Sequence, residues 1–194
     1  MIHVGIDPGT SGGVAALDDA GALLGVWDMP TAELGAKTDK GHKRVVDAAA
    51  LARILGSVGS PVCITLEAVH ARPGEGVTSS FTFGGAFHAA RSVAEVVAFL
   101  CPGVVLTHAE PRTATGRSAV NLVQPAAWRK SAGLPAGAGK PEYHDEAVKR
   151  WPDAPLWGPR KGKLLDRAAA LLIADHGRQQ HLANLRFAGM PRAA

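Results

Sequence analysis

The sequence is poor in cysteine and has no long apolar runs. Among its 194 residues only Cys63 and Cys101 are cysteines. Both lie among apolar residues without the spacing of metal-binding pairs, so we expect reduced, buried thiols rather than disulfides or a zinc site. No apolar run approaches the ~20 residues of a membrane span, and Met1 precedes a charged, glycine-rich turn rather than a signal-peptide core. We therefore expect a soluble, cytoplasmic protein without a membrane partner.

Length and composition predict one globular domain. Hydrophobic residues make up 46% of the chain and charged residues 20%, which is unlike the composition of disordered proteins. A chain not far above about 150 residues usually forms one hydrophobic core. We expect a domain over residues 1–177 and a basic tail over residues 178–194. The formal net charge of +4 favours polyanionic partners without identifying one.

Short β-prone runs open the chain. They cover residues 3–7, 13–17 and 23–28, and turns rich in proline, glycine and aspartate separate them. This pattern predicts an antiparallel meander. The run at residues 62–67 is almost entirely apolar until Glu67, which is typical of a central strand buried on both faces.

Helical patterns occupy much of the remaining chain. After a polar stretch at residues 31–44, Asp47 is a predicted N-cap of an amphipathic helix. A long helix is predicted over residues 77–100, with small residues at its middle that let a second helix approach closely. Its predicted apolar stripe is Val93, Val96, Val97 and Leu100. Further helices are predicted at residues 124–132, 143–151 and 164–176, and residues 104–107 and 120–123 are alternative positions for a further strand.

Two acids stand at the ends of predicted central strands. Asp7 precedes the sharp turn Pro8-Gly9, and Glu67 ends the later strand. A lone buried carboxylate is costly, whereas converging acids are stabilised by a divalent cation. Asp7 alone is explained equally well as a cap of its turn, but adjacent strand ends bring both side chains within reach of one ion.

A third acid, Asp166, begins the C-terminal helical pattern. A helix packed on the sheet would bring this carboxylate to the same cluster. The alternative is a solvated acid in the first turn of a helix, where the helix dipole favours negative charge.

Four segments in order resemble the phage-type branch of the RuvC Holliday-junction resolvases. They are residues 5–12 (GIDPGTSG), residues 66–81 (LEAVHARPGEGVTSSF), residues 124–130 (QPAAWRK) followed by GLP at residues 133–135, and residues 167–174 (RAAALLIA). The resemblance extends from residue 2 to about residue 177 and implies an α/β, RNase H-like fold with a mixed five-stranded sheet flanked by helices.

The same resemblance implies a homodimeric endonuclease that nicks opposed strands of branched DNA, the Holliday junction. It assigns metal binding to Asp7 and Glu67. Two Mg²⁺ ions are expected in each active site, with Mn²⁺ as an alternative, because hard oxygen ligands suit such ions.

The last motif departs from the family pattern. The family has two metal ligands three residues apart, and alignment puts Asp166 at the first position and Ala169 at the second, where an acid is expected. An engineered inactivating substitution would have this form. A natural shift of the ligand to Asp166, or a contribution from Asp145 or Asp175, would also account for it. We favour substitution.

Basic and aromatic residues near these motifs are candidates for DNA contact. Basic residues fix phosphates without reading sequence, and aromatic rings stack on exposed bases. A basic stretch also precedes the first helix, at Lys37, Lys40, Lys43 and Arg44. Each candidate has a plainer alternative as a surface or core residue. The predicted DNA-binding residues are His70, Arg72, Phe81, Phe83, Arg160, Lys161 and Lys163.

Two other functions compete with a resolvase. Sugar kinases and related ATPases open with a turn similar to residues 5–10, but they duplicate the domain and carry a second glycine-rich phosphate turn that this sequence lacks, so we expect no nucleotide cofactor. The other alternative is a junction-binding protein whose catalytic centre has decayed, for which Ala169 is the evidence.

Overall fold

The computed structural model describes residues 1–38, 41–59, 62–70, 74–100, 120–160 and 162–188. Within these ranges the chain forms seven strands and five helices. The strands are β1 (Ile2–Asp7), β2 (Gly13–Asp18), β3 (Leu23–Asp28), β4 (Thr31–Thr38), β5 (Gly41–Val46), β6 (Val62–Glu67) and β7 (Val120–Val123). The helices are α1 (Ala48–Ser57), α2 (Val77–Leu100), α3 (Pro125–Ser131), α4 (Lys140–Arg150) and α5 (Leu165–Ala188).

The main sheet has five strands in the order β3-β2-β1-β6-β7. The first three form the predicted antiparallel meander, and β6 and β7 continue the sheet parallel to β1. Ile6 pairs with Leu66, so Asp7 and Glu67 follow at neighbouring carboxyl ends. The mixed sheet with helices on both faces confirms the expected fold class.

Helices cover both faces of the sheet because its central strands are apolar on both sides. On one face, a core that includes Val4, Ile6 and Ile64 packs against α1 and α2. On the other face, a core that includes Ala15, Leu17 and Leu171 packs against α3, α4 and α5. The two cores fix the positions of the helices that border the carboxyl end of β1.

Glycines let α5 lie directly on the meander. A Cβ at Gly5 would overlap the Ala170 carbonyl oxygen, and a Cβ at Gly13 would come within 2.7 Å of the Asp166 carbonyl oxygen. A side chain at either position would therefore push the helix away from the sheet. The close contact brings the first turns of α5 beside the end of β1.

Asp47 is the N-cap that its sequence context predicts. Its side chain accepts a hydrogen bond from the Ala50 amide at 2.9 Å, and Leu51 and Leu55 of α1 are buried. The helix ends at Ser57, before Gly59, whose φ of 101° is in the left-handed region.

Three expectations about secondary structure need correction. The polar stretch before Asp47 contains the antiparallel hairpin of β4 and β5. Helix α5 continues to Ala188, through the first part of the segment expected to be a tail. The buried stripe of α2 is Ala86, Phe87, Ala90, Ala94 and Ala98. Of the expected stripe, Val93 and Val97 are partly buried against the same core, while Val96 and Leu100 are exposed.

Strand β7 occupies one of the two candidate strand positions. It pairs in parallel with β6 through Ile64–Val120 to Glu67–Val123 contacts. The other candidate, residues 104–107, and Cys101 lie outside the described residues.

Cys63 is buried, and burial raises the pKa of its thiol to about 11. In the part of the chain that the structure describes, no helix is long and apolar enough to cross a membrane.

Candidate active site

One cleft brings together the three predicted acids. Asp7 enters it from the end of β1, Glu67 from the end of β6 and Asp166 from the first turn of α5. We call these three residues the acid cluster. The side of the cleft formed by the loop after β1 is lined by Gly9, Thr10, Ser11 and Gly12, and the opposite side includes residues of α2.

Asp7 shows how strongly the acids affect one another. Burial raises the pKa of its carboxyl, the negative charges of Glu67 and Asp166 raise it further, and Lys140 lowers it, with a result of about 8. A carboxyl in this state holds its proton at neutral pH. The three carboxyl groups are therefore too close together, and Asp7 is too deeply buried, for all three to be ionised at neutral pH without a further cation.

Trp128 of α3 fixes the position of Glu67. Its ring is buried, and its Nε1 donates a hydrogen bond to Glu67 Oε1 at 2.9 Å. Tyr143 of α4 packs edge-on against this ring with centroids 5.1 Å apart. Tyr143 is held in turn by its hydroxyl, which donates to the Ala138 carbonyl at 2.9 Å. The acid at the end of β6 is thus oriented by two aromatic side chains.

Lys140 places a positive charge inside the acid cluster. Its Nζ lies 2.5 Å from Asp166 Oδ1. Burial lowers the pKa of Lys140, but the hydrogen bond to Asp166 and the charges of Asp166, Asp7 and Glu67 outweigh burial and hold that pKa above its usual value. The ammonium group of Lys140 therefore provides positive charge beside the three carboxyl groups.

Ala169 lines the same cleft, one helical turn after Asp166. Residues three apart on a helix share a face, and Ala169 is 6% exposed beside the acid cluster. A carboxylate at this position would add to the cluster. Asp145 and Asp175, the alternative ligands, do not line the cleft. Asp145 is paired with Lys163 at 2.6 Å, and Asp175, further along α5, is paired with Arg150 of α4 and Arg178 of α5.

The carboxylate oxygens of the acid cluster suit a divalent cation chemically, although they are not arranged around one. Across the described ranges, no group of three or more His, Cys, Asp or Glu side chains is arranged to hold a metal ion. Glu67 bonds Trp128 and Asp166 bonds Lys140 instead. The donors are nonetheless hard carboxylate oxygens whose mutual repulsion is evident at Asp7, and such a set suits Mg²⁺.

The predicted DNA-binding residues are divided between the cleft and other surfaces. His70 and Phe83 line the cleft, and His70 Nε2 lies 3.1 Å from Gln124 Oε1. Phe81 is 77% exposed on the outer face of α2. Lys163 borders a small adjoining pocket with Asp166, and Arg160 is exposed. Arg72 and Lys161 lie outside the described residues.

Sequence reasoning missed four side chains that surround the acid cluster. Trp128, Arg129, Lys140 and Tyr143 all line the cleft. The segment with Trp128 and Arg129 contributed to the family resemblance, but nothing in the pattern indicated which side chains point towards Glu67. Lys140 lies between the predicted helices at residues 124–132 and 143–151, whereas in the structure it is the first residue of α4.

Comparison with known proteins gives matches among solved structures only. No protein-family model and no curated protein matches the chain. A Thermus thermophilus RuvC structure is 17% identical, with 97% of each chain covered and a TM-score of 0.44. T. thermophilus RuvC in complex with Holliday junction substrate is 14% identical, with 95% of this chain and 96% of that chain covered and a TM-score of 0.48. At these identities and TM-scores the similarity concerns the fold and carries no argument about activity.

Proposed function

We propose that this chain is a metal-dependent, structure-selective DNA endonuclease that resolves four-way junctions, with a catalytic centre that lacks one acid. The observation that carries the proposal is the convergence of Asp7, Glu67 and Asp166 in one cleft with Ala169 beside them. The order of sequence motifs similar to RuvC resolvases supports the choice of substrate. The high pKa of Asp7 supports a requirement for a cation.

Asp7, Glu67 and Asp166 would hold the metal, for which Mg²⁺ is the first choice and Mn²⁺ the second. When bound, two such ions activate a water molecule and stabilise the leaving oxygen in phosphodiester hydrolysis. With Ala169 in place of an acid, we expect the cleft to hold one ion well and the second poorly, because the fourth oxygen ligand is absent.

The side chains around the acid cluster have distinct roles in this proposal. Trp128 keeps Glu67 turned into the cleft through its 2.9 Å hydrogen bond. Lys140 holds Asp166 and balances part of the negative charge before metal binds. In the metal-free cleft Asp7 keeps its proton at neutral pH, so binding of a cation releases that proton.

Contacts with DNA would extend from the cleft to its rim. His70 and Phe83 line the cleft and would meet the strand next to the cut. Lys163, beside Asp166 in the adjoining pocket, would contact a phosphate further along in exchange for its solvent-exposed ion pair with Asp145. We retain Arg160, Arg72 and Lys161 as candidates for DNA contacts outside the cleft, whereas the exposed ring of Phe81 belongs to the face of α2 that we assign to a dimer.

A two-fold homodimer through α2 would match the symmetry of a four-way junction. On the outer face of α2 the side chains Val77, Phe81 and Phe99 are 87%, 77% and 86% exposed. A Cβ added at Gly84 or Gly85 would meet nothing within 4 Å in one chain, which leaves room for a second helix. Light scattering should report twice the mass of one chain, and a monomer that cuts both strands in concert would contradict this assembly.

Binding to branched and linear DNA tests the proposed substrate. A labelled synthetic four-way junction and a linear duplex with the same arm sequence are titrated with the chain as it stands. We expect tighter binding to the junction, and affinity that falls steeply with salt because bound phosphates release counterions. Equal affinity for both DNAs at physiological salt would contradict a junction-selective enzyme.

A junction-binding protein without cleavage is the second candidate, and Ala169 is the observation that favours it. Both candidates predict selective binding to the junction. They differ when an acid is restored, because a decayed centre with other losses would remain inactive in an Ala169→Glu variant. Paired nicks at symmetric positions of the junction, dependent on Mg²⁺ and absent from an Asp7→Asn, Ala169→Glu double variant, would support the endonuclease.

A further inference from the structure

We propose that Arg129 is a phosphate-binding residue of the cleft, which holds the phosphodiester next to the acid cluster through its guanidinium group. This assignment rests on the proposed function, since it names the side chain that receives the DNA backbone at that site. The ligand class is a phosphodiester oxyanion. Arg129 is a residue of α3 and lines the cleft together with the acid cluster and Ala169.

Two aromatic rings hold the guanidinium of Arg129. Its Cζ lies 5.4 Å from the centroid of the Trp128 ring and 5.1 Å from the centroid of the Tyr143 ring. Both rings are buried, at 1% and 5% exposure. Cations within about 6 Å of a ring centroid are attracted by its π face, so the guanidinium is positioned without using its hydrogen-bond donors.

The guanidinium donors of Arg129 have no acceptor in the described part of the chain. Among the residues that the structure describes, the guanidinium of Arg129 makes no hydrogen bond or ion pair, and its Nε is buried without a partner. A guanidinium carries five N–H donors in a planar fork that matches the oxygens of a phosphate. A buried donor without an acceptor costs free energy, and a bound phosphate oxygen would remove that cost.

The contrast with Lys140 indicates why Arg129 is available for a ligand. Lys140 is engaged with Asp166 at 2.5 Å, so its charge is already used within the protein. The charge of Arg129 acts on its surroundings, where it lowers the pKa of the Tyr143 hydroxyl against the larger effect of burial, but no carboxylate among the described residues is paired with it. A second cation in an acidic cleft would offset the repulsion between the acids and an incoming phosphate.

The test compares Arg129→Gln with a matched control, Lys130→Gln. Both variants remove one positive charge from adjacent residues of α3, but Lys130 is exposed and does not line the cleft. Junction affinity is measured with Mg²⁺ over a series of salt concentrations. Loss of one phosphate contact should flatten the slope of log affinity against log salt by about 0.9 and weaken binding about tenfold at moderate salt. We expect this result for Arg129→Gln and less than a twofold change for Lys130→Gln.

A methylphosphonate in the DNA assigns the contact to a particular phosphate. Once the nicked position is mapped with the Ala169→Glu variant, the phosphate there is replaced by the uncharged methylphosphonate. If Arg129 binds that phosphate, the penalty of Arg129→Gln should shrink from about tenfold to within about twofold on the modified junction. If Arg129→Gln weakens binding to the modified junction as much as to the unmodified one, the assignment is overturned. It is also overturned if the slope of log affinity against log salt is the same for Arg129→Gln and the parent chain.

Folding is monitored by thermal melting of each variant. If Arg129→Gln melts well below the parent chain, Arg129→Lys replaces it, because lysine keeps the charge and most of the aliphatic stem but lacks the planar fork. We then expect a nearly parental salt slope with at least tenfold slower nicking in the Ala169→Glu background, and parental nicking would overturn the assignment. Failure of the parent chain to bind junctions would instead overturn the proposed function and this inference with it.

Discussion

Helix α5 carries two carboxylates with opposite surroundings. Asp166, in its first turn, meets two further acids in the cleft and has Lys140 as its ion-pair partner. Asp175, two to three turns later, is 4% exposed and is held by Arg150 at 2.9 Å and Arg178 at 2.6 Å. Gln179 donates a further hydrogen bond to it at 2.7 Å.

The difference separates a structural carboxylate from a candidate functional one. Asp175 is buried, and Arg150, Arg178 and Gln179 supply the hydrogen-bond donors and positive charge that compensate its carboxylate. Burial, together with the negative charges of Glu67 and Asp166, raises the pKa of Asp7 to about 8, so the metal-free acid cluster does not hold three ionised carboxylates at neutral pH. Perturbed pKa values in a cleft are typical of functional sites. We therefore expect the two sites to respond in opposite directions when a carboxylate is removed.

The largest effect on stability is expected at the compensated site. Asp175→Ala should lower the free energy of unfolding by about 3 to 5 kcal/mol, because Arg150 and Arg178 lose their shared partner in a partly buried place. Urea unfolding monitored by circular dichroism measures the change. Asp153→Ala, at an exposed acid, serves as the control. If Asp175→Ala lowers the free energy of unfolding no more than Asp153→Ala does, Asp175 is not a structural carboxylate and the two sites do not differ.

At the uncompensated site we expect stabilisation. In the metal-free protein at pH 7, Asp7→Asn should raise the free energy of unfolding by about 2 kcal/mol, allowing for an open cleft that solvent screens. The pKa of the Asp7 carboxyl is 3.8 in the unfolded chain and about 8 in the folded chain. Between those values the unfolded state alone has lost its proton, so Asp7 costs more stability as pH rises.

The pH profile checks the origin of that gain. The difference between Asp7→Asn and the parent chain should vanish at low pH, where Asp7 is protonated in both states, and level off above about pH 8. Urea unfolding at several pH values gives the profile. A gain of the same size at low pH would show that packing rather than charge is responsible.

A smaller effect is expected from Mg²⁺. At pH 8, saturating Mg²⁺ should raise the melting temperature of the chain by about 3 °C, because the cation binds the folded state. The rise should be smaller at pH 6, where Asp7 holds its proton. Asp166→Asn should abolish the rise, and Asp145→Asn, at the exposed acid paired with Lys163, should preserve it. An equal loss in both variants would contradict a specific site.

Much of the fold was predictable because the central strands are buried. The pattern at residues 62–67 gave β6 with its observed bounds, and the three early runs matched β1, β2 and β3 to within one residue. The hairpin of β4 and β5 was missed because its side chains at residues 32–35 and 42–44 are exposed. An exposed hairpin has no apolar face and therefore no periodic signal in the sequence.

The site was predictable only where residues end strands or begin helices. Asp7, Glu67 and Asp166 could be placed together by such reasoning and by the motif resemblance. Trp128 and Lys140 could not, because their positions depend on how α3 and α4 pack against α5. The apolar stripe of α2 was assigned to valines because they are more hydrophobic, whereas the packed face consists mostly of small alanines that let the helix approach the sheet.

The most direct test of the account is the cleavage rate of a four-way junction as the side chain at position 169 changes. The chain as it stands is compared with Ala169→Glu, Ala169→Asp and the uncharged control Ala169→Gln in single-turnover reactions with Mg²⁺. We predict that a carboxylate raises the rate at least about 100-fold, while Gln leaves it unchanged. If the chain with Ala169 already cuts as fast as the Glu variant, the acid cluster is complete without position 169 and the central claim is wrong.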